Sequence, residues 1–151
     1  MNPPVRPGDS VFELGVGVGA TLKAIRKLVP SIRPAGCDIS ANAIEVAIGI
    51  FPEAADAFTV ADMAGRGCSA AADASQDHVV SFGALAMYLS YSEMGLALRE
   101  ARRIAKPSAS LAFTHFLGTG EPLGTILTRV SEAEVEELAT RVGLIDIKFS
   151  G

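Results

Sequence analysis

Three acidic residues stand where they could do chemistry. Glu13 falls inside the apolar run Val11-Phe12-Glu13-Leu14, Asp38 follows Gly36-Cys37, and Asp62 follows Val60-Ala61. Each lies at the end of a segment that reads as a strand. Three glycines at alternate positions, Gly15, Gly17 and Gly19, come directly after the first segment. A strand feeding a Gly-rich turn and then a helix brings bare backbone close to a nucleotide-like ligand. An acid inside that strand suits a positively charged ligand group rather than a pyrophosphate. Asp38 follows Gly15 by roughly the ~20-residue offset at which an acid meets ribose hydroxyls in dinucleotide folds. A carboxylate suits that task because it accepts from two vicinal hydroxyls at once.

The elements that must hold these residues alternate along the chain. Strands are expected at 10–15, 33–38, 57–61, 77–82, 109–116 and 144–149, and helices at 19–29, 41–50, 92–105 and 131–142. That alternation predicts a Rossmann-like α/β fold: a doubly wound, mostly parallel sheet in a three-layer α/β/α sandwich. Pro30 stops the first helix, Ser40 can cap the second, Ser92 with Glu93 starts the third, and Pro107 ends it. Ser131 with Glu134 forms a capping box, and Gly143 is a C-cap glycine. Residues 63–76 are small and weakly patterned and read as loop. In a doubly wound sheet the ligand lies outside the carboxyl ends of the strands, near the reversal of strand order. Glu13, Asp38 and Asp62 all fall at such ends.

Composition excludes several classes. The chain has 151 residues, 49% of them apolar, and a formal net charge of −4. That length and apolar content support one domain with a sizeable core. The longest nearly apolar stretches, 43–51 and 82–89, fall short of the ~18 residues needed to span a membrane. The N-terminus lacks the apolar segment of a signal peptide. Two cysteines, Cys37 and Cys68, make neither a disulfide framework nor a metal site, and Cys37 reads as a small buried hydrophobe. A cytoplasmic setting is expected, with no metal and no membrane. The absence of a basic stripe argues against a nucleic-acid partner.

The ordered set of motifs resembles the class I S-adenosylmethionine-dependent methyltransferases (methyltransferase-domain, type 11/25-like) over essentially residues 1–151. Glu13-Leu14-Gly15-Val16-Gly17-Val18-Gly19 is similar to that family's acid-x-Gly-x-Gly-x-Gly motif, with Pro7-Gly8-Asp9 as its lead-in. Cys37-Asp38-Ile39-Ser40 resembles the ribose-binding strand end, and Ala61-Asp62-Met63 the adenine-binding one. The segments 77–89 and 97–107 resemble the fourth strand, the following helix and the Arg-x-Leu-Lys-Pro-Gly-Gly stretch. The resemblance implies a single domain binding S-adenosyl-L-methionine. Gly15, Gly17 and Gly19 would approach the methionine moiety, and Glu13 its ammonium side. Asp38 would hold the ribose, with Ile39 on the adenine. Asp62 and Met63 would contact the adenine, and Ser81, Phe82 and Gly83 the methyl end. The implied reaction is methyl transfer to a small-molecule acceptor by in-line displacement.

The chain departs from the family pattern in places. Ser108-Ala109 replaces the glycine pair after Lys106-Pro107, a strained choice if that turn requires positive φ. The chain starts almost at the first strand and stops after 144–149, where the family usually adds an antiparallel seventh strand. A C-terminally short sheet is therefore expected, and an open edge that could support a homodimer. His115, near the end of the fifth strand, is the candidate general base. His78 reads as structural, Tyr88 as packing or substrate contact, and Arg99, Arg102 and Arg103 as a solvated helix face. No Asp/Asn-Pro-Pro-Tyr/Phe motif follows the fourth strand, which disfavours amide or exocyclic base-amine acceptors. Two other readings stand beside the first. One is a non-catalytic relative that binds the methyl donor and acts as a partner subunit. The other is a nicotinamide-dependent oxidoreductase, since Gly15-x-Gly17-x-x-Ala20 also satisfies the dinucleotide fingerprint.

Overall fold

The computed structural model describes residues 4–65, 71–117 and 129–149. Cys68 and the middle of the 63–76 loop lie outside them. The chain runs β1 (Ser10–Leu14), α1 (Ala20–Leu28), β2 (Arg33–Asp38), α2 (Ala41–Ile50), a 3-10 turn (Pro52–Ala57) and β3 (Phe58–Val60). It continues through β4 (Gln76–Ser81), α3 (Ala84–Tyr88), α4 (Tyr91–Ile104), β5 (Ala105–Phe113), β6 (Phe116–Leu117), β7 (Arg129–Val130) and α5 (Glu132–Arg141). The main sheet has the order β3-β2-β1-β4-β5 and is parallel throughout. Strand order reverses beside β1, with β2 on one flank and β4 on the other. β6 and β7 form a separate two-stranded parallel ribbon.

The period-2 alternation of β1 separates two cores. Phe12 and Leu14 face the larger, which α3, α4 and α5 cover with Leu85, Met94, Leu98 and Leu138. Val11 faces the smaller, which α1 and α2 cover with Leu22, Ile44 and Ala47. Cys37 is buried in the larger core, as its sequence context predicts. Glu13 shares the parity of Val11 and is 2% exposed. The fold therefore carries a charged residue into its interior on the α1 side, a costly placement that calls for a reason.

Several local expectations change. Residues 144–149 form no strand. Gly143 at φ +80° turns the chain after α5, and Asp146 at φ +55° breaks an extended conformation. The sheet has no antiparallel member among the described residues. α4 starts one residue earlier than expected, at Tyr91: its cap is Ser90, in a reciprocal capping box with Glu93. Pro107 does not end a helix but sits in β5. There its missing N–H is tolerated on an edge strand, beside a register shift between Gln76 and His78. Neither Ser108 nor Ala109 has positive φ, so the strain conditional on that turn is absent. The Ser40 cap and the Ser131–Glu134 capping box form as expected.

Candidate functional site

The turn after β1 is built by glycines whose φ values are left-handed: Gly15 at +71° and Gly17 at +51°. A Cβ on Gly15 would fall 2.3 Å from the Ala84 Cβ, so that position admits no side chain. A Cβ on Gly17 would meet nothing within 4 Å, because that backbone faces open space. The Cys37 carbonyl holds the turn to β2, accepting from the N–H groups of Gly15 and Val16 at 2.9 Å. The Asp38 carboxylate completes the tie: Oδ2 accepts from Gly17 N–H at 2.8 Å and Oδ1 from Ser40 N–H at 2.9 Å. At the next strand end Ala61 N–H donates to the Asp38 carbonyl, and Asp62 Oδ1 accepts from Ala64 N–H at 2.9 Å.

These strand ends surround a cleft of about 720 Å³, within the size range of small-molecule sites. Glu13, Gly15, Gly17, Asp38, Ile39, Asp62, Met63 and Phe82 all line it. Two expected contributors do not. Ser81 is fully buried and donates to the Leu14 carbonyl at 2.7 Å, fastening β4 to β1. Gly19 admits the close approach of Phe51, whose ring would lie 3.0 Å from a Cβ there. Both support the cleft from beneath.

His115 is also outside the lining. β5 ends at Phe113, and the His115 ring stands edge-on to Phe149 at 5.7 Å, with Nε2 buried and unpartnered. Position along a strand end indicated proximity to the site but not the direction of the side chain.

Sequence reasoning reached only part of the opposite wall, naming Phe82, Gly83 and Tyr88 but not Ala84, Met87, Leu89 or Glu93 as lining residues. α3 begins at Gly83, φ +84°, whose N–H donates to Thr114 Oγ1 at 2.6 Å. It brings Ala84, Met87 and Tyr88 to the cleft; Leu89, just after α3, and Glu93, in the first turn of α4, follow. The signals were a glycine directly after β4 and the Ser90-x-x-Glu93 box, which fixes where α4 begins.

The electrostatics are one-sided. The charged side chains lining the cleft are the carboxylates of Glu13, Asp38, Asp62 and Glu93, with no lysine, arginine or histidine among the described lining residues. Burial pushes Glu13 from the usual carboxylate range up to about 7; a hydrogen bond with the Thr21 side chain opposes the rise, and the Asp38 charge adds to it. Glu13 Oε2 is buried with no hydrogen-bond partner. A buried carboxylate oxygen left unsatisfied at a cleft wall is costly unless a ligand donates to it. The site thus fits a ligand with a cationic donor at the β1 end, hydroxyls near Asp38 and an amino group near Asp62.

Comparison with known proteins agrees with this geometry. A family model described as a methyltransferase domain matches residues 11–108. No curated protein matches the chain. Among solved structures, a chain of the complex formed by the Haloferax volcanii Trm112 methyltransferase activator is 27% identical with a TM-score of 0.75, covering 98% of this chain and 71% of that one. Phosphoethanolamine N-methyltransferase 2 of Haemonchus contortus, in complex with S-adenosyl-L-methionine, is 21% identical with a TM-score of 0.76; the match covers 97% of this chain but 35% of that one. A TehB-like methyltransferase of Corynebacterium glutamicum is 22% identical with a TM-score of 0.69, covering 93% and 67%. The latter two show a shared fold.

Proposed function

This chain belongs to the methyltransferase-domain family, an S-adenosylmethionine-dependent enzyme of the class I fold, and we propose that it methylates a small-molecule acceptor in the cleft at the carboxyl ends of β1 to β4. The supporting observation is the convergence of Glu13, Asp38 and Asp62 on one hollow floored by Gly15 and Gly17.

The residues present suit the cofactor. Gly15 and Gly17 let backbone approach the methionine moiety. Glu13 Oε2, unpartnered and buried, is the acceptor for its ammonium. Asp38 holds the ribose hydroxyls. Each of its oxygens accepts one backbone N–H and keeps a second lone pair for a ligand hydroxyl. Ile39, 76% exposed, offers an apolar face to the adenine, and Asp62 accepts from its amino group. When bound, S-adenosylmethionine supplies a methyl group already activated by the sulfonium. The protein then has to orient the acceptor in line and exclude water. Phe82, Met87, Tyr88 and Leu89 form the wall that does so. His115 has no part in this reading.

A second reading is a cofactor-binding subunit without turnover that works with a protein partner. The Haloferax match, taken from a complex with a methyltransferase activator, favours keeping it open. β3 and β5, the edge strands of the sheet among the described residues, are where a second copy could pair, and sedimentation would test the proposed homodimer. Acidity and cysteine usage support a cytoplasmic setting; no helix among the described residues is long and apolar enough to cross a membrane.

Calorimetry with S-adenosylmethionine, S-adenosylhomocysteine and NAD is the first test, with binding of the first two and none of the third expected. Release of S-adenosylhomocysteine across an acceptor panel then separates the enzyme from the partner subunit. Binding of NAD alone would overturn the proposal.

A further inference from the structure

We infer that the acceptor is an organic amine with an apolar body, and that compounds carrying a phosphate or carboxylate near the reacting atom are rejected. This rests on the reading of the cleft given above, and names the acceptor class for it.

The acceptor wall carries the inference. Phe82 and Tyr88 line the cleft and are 45% and 68% exposed, an unusual uncovering of two aromatic rings. Met87 and Leu89 extend the apolar surface between them. The one charged side chain on this wall is Glu93. Its Oε2 accepts from the Ser90 N–H at 2.8 Å and from the Ser90 hydroxyl at 2.6 Å, so its position is fixed by the start of α4. An aromatic face beside a fixed carboxylate attracts a cation, because ring quadrupole and anion act in the same sense. An anionic acceptor would meet the Glu93 carboxylate, with no described lysine, arginine or histidine lining the cleft to compensate its charge.

The lining also restricts the nucleophile. No histidine reaches the cleft among the described residues, and both hydrogen bonds from Ser90 hold Glu93 below the usual carboxylate range. Glu93 is therefore a weak base, and Glu13 is assigned to the other end of the cofactor. An aliphatic hydroxyl, a far weaker acid, keeps its proton until attack and needs a base there; an ammonium ion gives one up to water beforehand and attacks through the freed lone pair. The amine is held as its ammonium ion and gives one proton to water; the freed lone pair then forms the bond to the methyl carbon as the carbon–sulfur bond breaks and that electron pair passes to sulfur. The product nitrogen, now cationic, loses its proton to water or stays charged beside Glu93.

The test uses the full chain saturated with S-adenosylhomocysteine and three probes of matched body: 2-phenylethylamine, 2-phenylethanol and 3-phenylpropanoate. Calorimetry is expected to rank the amine about tenfold tighter than the carboxylate, with the alcohol between. Glu93→Gln is expected to remove most of that preference while leaving S-adenosylhomocysteine affinity intact. Gln at this position still makes the reciprocal capping bond, so the charge is removed without losing the helix start. Tyr88→Ala, at an exposed position, is expected to weaken all three probes together. Carboxylate binding as tight as the amine, a preference unchanged in Glu93→Gln, or no binding of any probe would each overturn the inference. Failure of S-adenosylhomocysteine itself to bind would instead overturn the cofactor reading.

Discussion

The two ends of the same parallel sheet treat their carboxylates in opposite ways. At the amino-terminal end, Asp9 Oδ2 accepts from Arg6 N–H at 2.8 Å and pairs with His78 Nε2 at 2.9 Å, while His78 Nδ1 meets Ser110 Oγ at 2.6 Å. Asp77 accepts from the Ser10 N–H and hydroxyl and from Lys106 Nζ. At the carboxyl-terminal end, Glu13 keeps an oxygen with no partner, and Asp38 and Asp62 accept from backbone N–H groups of neighbouring turns. The first end uses acids to staple β1, β4 and β5; the second presents acids to a cleft. Gln76 Oε1 is buried and unpartnered at the first end as well, so it is an unpaired buried carboxylate, rather than unsatisfied polarity as such, that sets the cleft end apart.

The sharpest way to break the comparison is Gly15→Ala. The new Cβ would sit 2.3 Å from Ala84 at a backbone φ of +71°. Overpacking and left-handed strain together should cost about 3–5 kcal/mol of stability, read from urea unfolding, and abolish cofactor binding. Gly17→Ala is the control. With open space around its Cβ, it should cost about 1–2 kcal/mol from φ alone. Equal losses from the two would mean the turn is not shaped by its contact with α3.

Next in size is the pH response of Glu13. Its folded value is raised from 4.5 to about 7, so the folded protein prefers the neutral form. Stability of the cofactor-free protein should therefore fall as pH rises from 4.5 through 7, by at most about 3 kcal/mol. Asp9 and Asp77 have the opposite sign. The bond with His78 holds Asp9 down and the bond from Lys106 holds Asp77 down, so their stabilisation is present above the unfolded carboxylate value and is lost on acidification. Glu13→Gln should flatten the neutral limb and leave the acid limb unchanged. Cofactor affinity, which needs the ionised carboxylate, should rise with pH toward a plateau above 7 in the parent and show no such rise in Glu13→Gln. An unchanged neutral limb in the variant would remove Glu13 as its cause.

Asp38→Ala tests the ribose assignment. It removes an acceptor for two hydroxyls and two loop ties, so affinity for S-adenosylhomocysteine should drop by about 1–3 kcal/mol. Unchanged affinity would dissociate the second strand end from the ligand.

Much of the fold, and most of one cleft wall, was legible in the sequence, because the signals there are local. Period-2 apolar runs gave the strands, Ser131-x-x-Glu134 gave a helix start, and each acid followed its strand directly. What escaped depended on partners distant in sequence. Residues 144–149 alternate like a strand but bend at Asp146, φ +55°, with no neighbour to pair with among the described residues. α3 is a five-residue helix inside an apolar stretch too short for its period to show. Its residues make the opposite wall, so the acceptor side was the part least legible. His115 lies two residues past the end of β5, with its ring edge-on to Phe149, a contact that strand position alone does not reveal.

The smallest predicted effect is also the cleanest test of whether the two ends are independent. Ser110→Ala removes the hydroxyl that faces His78 Nδ1 and leaves that nitrogen without its partner, while the Asp9 contact on Nε2 remains. The expected cost is about 1 kcal/mol in urea unfolding, with no change in cofactor affinity. Ser110 sits on edge strand β5 and Asp38 at the far end of β2, three strands away, with no shared hydrogen-bond partner. Combined with Asp38→Ala, it should therefore leave the Asp38 affinity loss unaltered to within ~0.5 kcal/mol. A larger coupling would mean that β1 and β4, which join the staple to the cleft, transmit its loosening to the ligand. The end whose carboxylates are paired would then help to set the geometry of the cleft end, rather than only holding the strands together.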